Sequence, residues 1–244
     1  MPLCRATASS AFVPCSAARA TSEPARGTTW MRPAHSLAST LAPTLLLLAA
    51  AACSPRARPL TGTPTPRRVP MAELPPVHRK IVFQWDYSQP ELRVRGEGVA
   101  RIAPPDSARL DFFVNGQGTG HALLVGDQIR LQSGQDAMRD FLPPAPLLWA
   151  ALGRLHVPAA ADTTVRVDSD TLRIDIGHQP GWRATFFDEQ LRRLELIDGG
   201  RIPQWVARPA AGPIRYEQPR LRRTLQLTIS RDDTVPGFDA SIWR

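Results

Sequence analysis

The strongest constraint on the fold is the stretch 92–114, LRVRGEGVARIAPPDSARLDFFV, in which apolar and polar residues alternate on both sides of one corner. Alternation with a period of two is typical of strands that bury one face. The corner, Pro104-Pro105-Asp106-Ser107, has the residue types that end one strand and start the next. The stretch therefore predicts an antiparallel hairpin with one apolar face, in which Gly96 and Gly98 indicate a bulge or a sharp bend.

Short alternating runs continue along the chain on both sides of this hairpin. Residues 80–88 precede it, where a strand is predicted and a short helix is the alternative. Later runs occupy 121–132, 164–176, 182–186, 191–197, 202–207, 214–217 and 221–230. Turns such as Asp198-Gly199-Gly200 separate them, which is typical of an antiparallel meander. The predicted fold is mainly β: a curved, incomplete β-barrel of roughly ten antiparallel strands, with Phe238 and Trp243 of the tail packed against an open edge or end of the sheet.

Residues 133–155 interrupt the β pattern. The run QDAMRDFL can form two helical turns, Pro143-Pro144 ends them, and PLLWAALGRL starts a second helix that reaches Leu155. The second run holds too many large apolar side chains for an exposed helix. We expect this insertion to cover the inner face of the sheet as a lid or plug.

The N-terminal region has the features of an export signal. Residues 41–52, LAPTLLLLAAAA, are uncharged and shorter than the roughly 20 apolar residues that span a bilayer, but they suit the apolar region of a signal peptide. Cys53 follows, and the small residues before it resemble a bacterial lipobox, although Ala50 stands where that class usually has Leu. In that class the cysteine is acylated and becomes the mature N-terminus. The alternative is a soluble secreted protein with an unpaired Cys53.

These features divide the chain into three parts. Residues 1–52 are the leader, with Met31 as an alternative start, and residues 53–76 are a disordered Pro/Arg-rich tether. Residues 77–244 form a single domain. We expect Cys53 to hold the protein at the periplasmic face of the outer membrane, since Ser54 resembles the outer-membrane sorting pattern.

Several function classes are disfavoured. The formal net charge is +8, but eight of the 30 basic residues and only one of the 22 acidic residues lie in residues 1–72, so the folded part is nearly neutral and no nucleic-acid partner is expected. The glycines of NGQGTG precede a strand, whereas a phosphate loop requires a helix. The four histidines of the domain lack zinc spacing, and no serine sits in a nucleophile-elbow context. We therefore expect no enzyme activity, no cofactor and no metal site.

The chain resembles the Lol lipoprotein-sorting superfamily, in which an incomplete antiparallel barrel plugged by helices holds acyl chains. The resemblance covers about residues 80–243 and rests on RGEGVARIAPPDSARLDFF, the glycine-rich turn into HALLVGD, and the apolar helix PLLWAALG. It implies a membrane-anchored lipoprotein that binds a lipid or the acyl chain of another lipoprotein, with a place in outer-membrane lipoprotein localisation, and we expect a monomer. The alternative is a structural envelope lipoprotein that binds a protein partner through its sheet, without lipid carriage.

The ligand hypothesis assigns two sets of apolar residues. The cavity lining would comprise Phe83, Trp85, Leu110, Phe112, Leu123, Val125, Ile174, Phe186 and Leu194. The lid would comprise Met138, Phe141, Leu148, Trp149 and Leu152. Each buried methylene contributes about 0.8 kcal/mol, so an acyl chain could bind there strongly. The alternative is that the same residues form an ordinary packed core.

Overall fold

The computed structural model describes residues 54–66, 68–70, 72–132, 136–158, 160–178 and 181–243. In these residues the chain forms one antiparallel sheet of 13 strands and two short α-helices. The strands are β1 (Thr63–Pro64), β2 (His78–Gln89), β3 (Leu92–Ala103), β4 (Ser107–Val114), β5 (Gln117–Val125), β6 (Gln128–Leu131), β7 (Thr163–Asp168), β8 (Thr171–Ile176), β9 (Gly181–Phe187), β10 (Gln190–Asp198), β11 (Arg201–Ala207), β12 (Ile214–Gln218) and β13 (Arg223–Val235). The helices, α1 (Asp136–Phe141) and α2 (Ala145–Leu152), lie between β6 and β7.

The sheet consists of two meanders joined side by side. Its strand order is β1-β7-β8-β9-β10-β11-β12-β13-β2-β3-β4-β5-β6, so the meander β2–β6 meets the meander β7–β13 where β13 pairs with β2. Strands β1 and β6 are left as edges, and the sheet is not closed into a barrel. The predicted mainly-β, antiparallel, incomplete-barrel fold is confirmed. The strands outnumber the predicted ten partly because residues 117–131 split at Gly126 and because β1 lies in the predicted tether.

The hairpin β3–β4 has the predicted faces and corner, but its glycines do not form a bulge. Pairing of β3 with β2 runs without a register shift from Leu92 to Ile102, and Gly96 and Gly98 lie opposite Trp85 and Phe83. A Cβ at Gly96 would lie 2.7 Å from Trp85 Cζ2 and would overlap the carbonyl oxygen of Phe113. The glycines therefore make room for aromatic rings that lie across the strand.

The two helices cover one face of the sheet, which we call the inner face. Alternate residues of the strands are buried there, including Ile81, Phe83, Trp85, Tyr87, Ala108, Leu110, Phe112, Ala122, Leu124, Leu172, Ile174, Ala184, Phe186, Leu194, Val206, Tyr216 and Leu225. Helix α2 contacts β10, β11 and β12, yet its Trp149 also bonds the carbonyl of Gly126 in the β5–β6 turn. Five strand spacings separate β12 from β5, about 24 Å in a flat sheet, whereas α2 is about 12 Å long. The sheet is therefore curled around the helix.

Prolines and one glycine set the bounds of α2. Pro144 precedes the helix and Pro146 lies in its first turn, where a missing backbone N–H costs nothing. Gly153 adopts a left-handed conformation with φ 97°, and its N–H donates to the carbonyl of Ala150. The helix thus ends at Leu152 rather than at the predicted Leu155, because this glycine cap closes its last turn.

The segment predicted as a disordered tether packs along the sheet over its described residues, and that prediction is wrong for them. The amide of Ala57 donates to the carbonyl of Gly200 at 2.9 Å, and the amide of Ile202 donates to the carbonyl of Pro55 at 2.8 Å. Further along, β1 pairs with β7 and forms one edge of the sheet. Arg183 donates to the carbonyl of Arg58 at 2.6 Å. A proline-rich chain lacks many N–H donors but keeps every carbonyl acceptor, and arginines of the sheet use these acceptors.

The C-terminal tail lies near the end of the sheet at which β2 begins, rather than at an open edge. The ring of Phe238 contacts the ring of His78, the first residue of β2, at 5.7 Å and that of Trp243 at 6.1 Å. Arg109 of β4 donates to the carbonyl of Ile242 at 2.7 Å. Arg109 alternates with the buried inner-face residues of β4, so the tail covers the outer face.

Among the residues that the structure describes, no helix has both the length and the apolar character needed to cross a bilayer.

Candidate functional site

An apolar cavity lies between the helices and the inner face, at the seam where the two meanders meet. It is lined by Ile81, Phe83, Ala100, Leu110, Phe112, Leu142, Leu148, Ala151, Leu152, Arg208, Ile214, Leu225, Leu227 and Ile229. The space open to the centres of water-sized molecules is about 40 Å³. The site is therefore a small void whose walls are apolar except at Arg208.

The nine predicted lining residues fall into separate groups. Phe83, Leu110 and Phe112 line the cavity. Trp85 lies beside it, with its ring 6.1 Å from Phe112, and its indole N–H donates to the carbonyl of Glu97. Ile174, Phe186 and Leu194 are buried on the inner face of the other meander but do not reach this cavity.

Leu123 and Val125 do not lie on the inner face, so their assignment to the lining is wrong. In β5 the residues opposite the inner-face side chains of β4 are Ala122 and Leu124, which are fully buried. Leu123 instead lies opposite Arg109 on the outer face. The run HALLV has apolar residues at both odd-numbered and even-numbered positions, so alternation alone did not decide which set faces inward.

The predicted lid residues also divide into two sets. Leu148 and Leu152 of α2 line the cavity, whereas Phe141 of α1 packs on an aromatic cluster beside it. The Phe141 ring lies 4.5 Å from Tyr87, 5.3 Å from Trp85 and 5.9 Å from Phe112. Met138 packs against the same core from one turn earlier in α1.

Trp149, predicted as a lid residue, anchors α2 instead of facing the cavity. Its side chain is fully buried, and Nε1 donates to the carbonyl oxygen of Gly126 at 2.6 Å. The Arg154 guanidinium lies 5.0 Å from the ring, and the ring of His156 lies 6.1 Å away. Burial lowers the pKa of His156, and the charge of Arg154 lowers it further. This side of α2 is therefore fastened to the β5–β6 turn.

Arg208 is the one charged side chain in the cavity wall. It follows β11, and its amide donates to the carbonyl of Arg192 at 2.7 Å. Its guanidinium fills the space that a side chain at Gly153 would need, so it lies against the C-terminal end of α2. Burial lowers the pKa of Arg208, as do the charges of Arg79 and Arg192, whereas Asp232 raises it. Guanidinium groups nonetheless stay protonated in proteins, so a permanent cation stands at the edge of an apolar space.

Sequence reasoning missed the contribution of β12 and β13 to this wall. The alternation of Leu225, Leu227 and Ile229 marks a strand with one apolar face, but nothing local says that β13 lies beside β2. Arg208 sits in the irregular run ARPAAGP, which has no pattern that marks it as a cavity residue.

The remaining sequence predictions concern the anchor and metal ions. Cys53, the predicted lipid attachment site, and the leader 1–52 lie outside the described residues. Within the described part of the chain, no group of three or more His, Cys, Asp or Glu side chains is placed to hold a metal ion.

No protein-family model matches the chain, and no curated protein matches it in sequence. Among solved structures, it is similar to a LolA superfamily protein from Nitrosomonas europaea, with a TM-score of 0.47, 9% identity, and 72% of this chain and 94% of that chain covered. It is also similar to a DUF1329 family protein from Desulfovibrio piger, with a TM-score of 0.45, 9% identity, and coverage of 68% and 89%. The third structure is a domain assigned to outer-membrane lipoprotein sorting from Vibrio parahaemolyticus. Its TM-score is 0.40 and its identity is 8%, with 70% of this chain and 91% of that chain covered. All three sequence identities are 9% or less.

Proposed function

We propose that this protein is a membrane-anchored lipoprotein of the periplasmic face of the outer membrane that binds an acyl chain in the cavity beneath its helices. The observation that supports this most is the position of the void. It lies where the two meanders meet, and 13 of its 14 lining residues are apolar. An unfilled cavity costs about 24 cal/mol per Å³, or about 1 kcal/mol here. A ligand that fills the void recovers this energy and adds about 0.8 kcal/mol for each methylene that it buries.

Binding a long chain requires a helix to move. About 40 Å³ of free space suits a few water-sized groups, since each needs about 10–15 Å³ on this measure. An acyl chain of 12 or more carbons therefore enters only when part of the cover is displaced.

The energy of exposure favours α1 over α2 as the part that moves. Displacing α2 exposes Leu147, Leu148, Trp149 and Leu152 and breaks the bond of Trp149 to Gly126, a cost of about 6–12 kcal/mol at about 1.5–3 kcal/mol for each large side chain. Displacing α1 exposes Met138, Phe141 and Leu142, at about 4.5–9 kcal/mol, and breaks the bond from Arg223 to the carbonyl of Asp140. Burial of 12 methylenes gives about 10 kcal/mol, which exceeds the cost of exposing these three side chains. Pro143 and Pro144 separate the two helices, so α1 can swing while α2 stays anchored.

The experiment fills the void from within. Ala151 lies in the cavity wall and is almost fully buried, so Ala151→Leu places three more carbons in the space that the ligand needs. We expect the delipidated wild type to bind a fluorescent 16-carbon fatty acid and the variant to bind it at least about tenfold more weakly, as about 1.4 kcal/mol of lost burial predicts. Phe112→Ala, which removes a wall, is expected to change the affinity as well.

The matched control is Ala210→Leu, at an exposed position of the loop after β11. It should bind the probe like the wild type. Equal binding by Ala151→Leu and the wild type would contradict the site. A wild type that binds no apolar probe would contradict the function and favour a structural lipoprotein that binds a protein partner through its sheet.

A further inference from the structure

The cavity wall combines an apolar surface with one cation that lacks a full counter-charge. Arg208 lines the same void as Phe83, Leu148 and Leu227. In the part of the chain that the structure describes, no carboxylate forms an ion pair with its guanidinium. Removing a charge from water, even in part, is unfavourable unless a partner or a hydrogen bond replaces the water. An anionic partner that pairs with the Arg208 guanidinium would therefore be favourable at this position.

The acid that acts most on Arg208 is already engaged. Asp232 forms a two-pronged ion pair with Arg79, through Nε to Oδ1 at 3.1 Å and through Nη2 to Oδ2. The charges of Arg79 and Arg192 both act on Arg208. Asp232 is therefore one carboxylate beside three guanidinium groups. The C-terminal end of α2 adds only a partial negative charge of about half a unit. The local balance at this end of the cavity is positive.

We propose that the cavity takes a single-chain amphiphile with an anionic head, whose carboxylate or phosphate pairs with Arg208 while its acyl chain lies among the apolar side chains. The proposal rests on the acyl-binding function given above and names its ligand class. A guanidinium binds carboxylate and phosphate oxygens through two parallel N–H groups, which fixes the head group as well as attracting it. The acyl chains of a lipoprotein are held by neutral ester or amide linkages with no anionic head group beside them, so they gain only the apolar part of the binding.

The position of Gly153 supports this arrangement. A side chain at this position would overlap the Arg208 guanidinium where it lies beside the end of α2. Leu148 and Leu152 of the same helix line the void. One helix end therefore sets the cation next to the apolar wall, so that a head and a tail can be bound together.

The test measures displacement of a fluorescent fatty acid by tail-matched competitors. Palmitate and lysophosphatidylglycerol carry an anionic head, 1-monopalmitoylglycerol carries a neutral one, and inorganic phosphate supplies the head alone. For the wild type we expect both anionic amphiphiles to compete about 10–100-fold better than the neutral one, the range that a hydrogen bond to a charged group provides. We expect phosphate alone to compete weakly or not at all.

The variants are Arg208→Met and Arg208→Lys, with Arg220→Met as a control of equal charge change at an exposed position. Arg208→Met should abolish the preference for anionic heads. It should leave the affinity for the neutral amphiphile within about twofold of the wild-type value, because methionine keeps the apolar stem. Arg208→Lys should restore part of the preference. Arg220→Met should leave it unchanged.

The outcomes separate this inference from the function on which it rests. If neutral and anionic amphiphiles bind the wild type equally, or if Arg208→Met keeps the preference, the anionic-head proposal is overturned while acyl binding stands. If none of the amphiphiles binds, both proposals fail. Phosphate that competes as well as palmitate would show an anion site without an acyl site and would also overturn the proposal.

Discussion

Gly96 and Gly98 show how single residues shape the inner face. Each lies opposite an aromatic residue of β2, and the rings of Trp85 and Phe83 lie across them. A glycine in a strand usually weakens it, but an aromatic ring on the neighbouring strand can cover the exposed backbone. The two glycines thereby let large rings lie flat next to the cavity.

Substitution of Gly96 tests this close contact. In Gly96→Ala the new methyl group would meet both the Trp85 ring and the backbone oxygen of Phe113, and a backbone atom cannot move aside as a side chain can. We expect a loss of about 1–3 kcal/mol in the free energy of unfolding, measured by urea denaturation. The control is Gly237→Ala, where a Cβ meets nothing within 4 Å and less than about 0.5 kcal/mol should be lost. Equal stability of the two variants would show that the strand adapts.

Prediction of the inward-facing residues succeeded in strands where only every second residue is apolar. It failed where neighbouring residues are both apolar. In β3 and β4 charged residues mark the outer face, and the inner set Ala100, Leu110 and Phe112 was predicted correctly. In β5 the apolar run continues through both parities. The outer-face position of Leu123 follows from the register with β4, which no local pattern contains.

At the scale of elements, α1 and α2 are attached to the sheet through different contacts. Helix α2 is fixed at both sides, to β10–β12 through its apolar side chains and to the β5–β6 turn through Trp149. Helix α1 contacts β6 and places one aromatic ring on Trp85, Tyr87 and Phe112. The helical insertion was predictable because prolines and apolar residues mark it. The hydrogen bond from Trp149 to Gly126 was not predictable, because it joins α2 to a turn on the far side of the sheet.

Trp149→Phe tests the anchor of α2. Phenylalanine keeps most of the apolar surface but lacks the N–H that bonds the carbonyl of Gly126 at 2.6 Å. A partly buried acceptor that loses its partner costs up to about 1–3 kcal/mol, so the urea midpoint should fall accordingly. Trp182→Phe is the matched control, since Trp182 is half-buried and its indole donates to no atom of the described residues. If both variants lose the same stability, the bond to Gly126 does not hold the helix.

At the scale of the whole molecule, the fold is two meanders that share one core. The meanders themselves were predictable from turn residues and alternation. Their junction, β13 beside β2, joins residues 136 to 157 positions apart, from Thr224 opposite Ser88 to Val235 opposite His78. A contact of that sequence separation leaves no local signal, and for this reason the part of the cavity lining that β12 and β13 supply could not be predicted.

Amide hydrogen exchange tests the docking of the segment before β1. The amides of Ala57 and Ile202 bond across the segment and the β10–β11 turn, so both should exchange about tenfold or more slowly than an unstructured chain. The exposed loop residue Ala210 serves as the unprotected reference. Arg183→Met, which removes the donor to the carbonyl of Arg58, should speed exchange at Ala57, whereas Arg173→Met should not. Fast exchange at Ala57 in the wild type would restore the free-tether interpretation.

The docked segment has a mechanical consequence for a protein held by Cys53. Ser54 already accepts a hydrogen bond from Arg201, and one residue spans at most about 3.6 Å. In a chain acylated at Cys53, the segment between the lipid anchor and the folded domain would thus be about one residue long. The β10–β11 hairpin would then contact the lipid head groups. Such a molecule could not reach outward to collect cargo; it would exchange ligand only with the leaflet beneath it or with carriers that come to that leaflet.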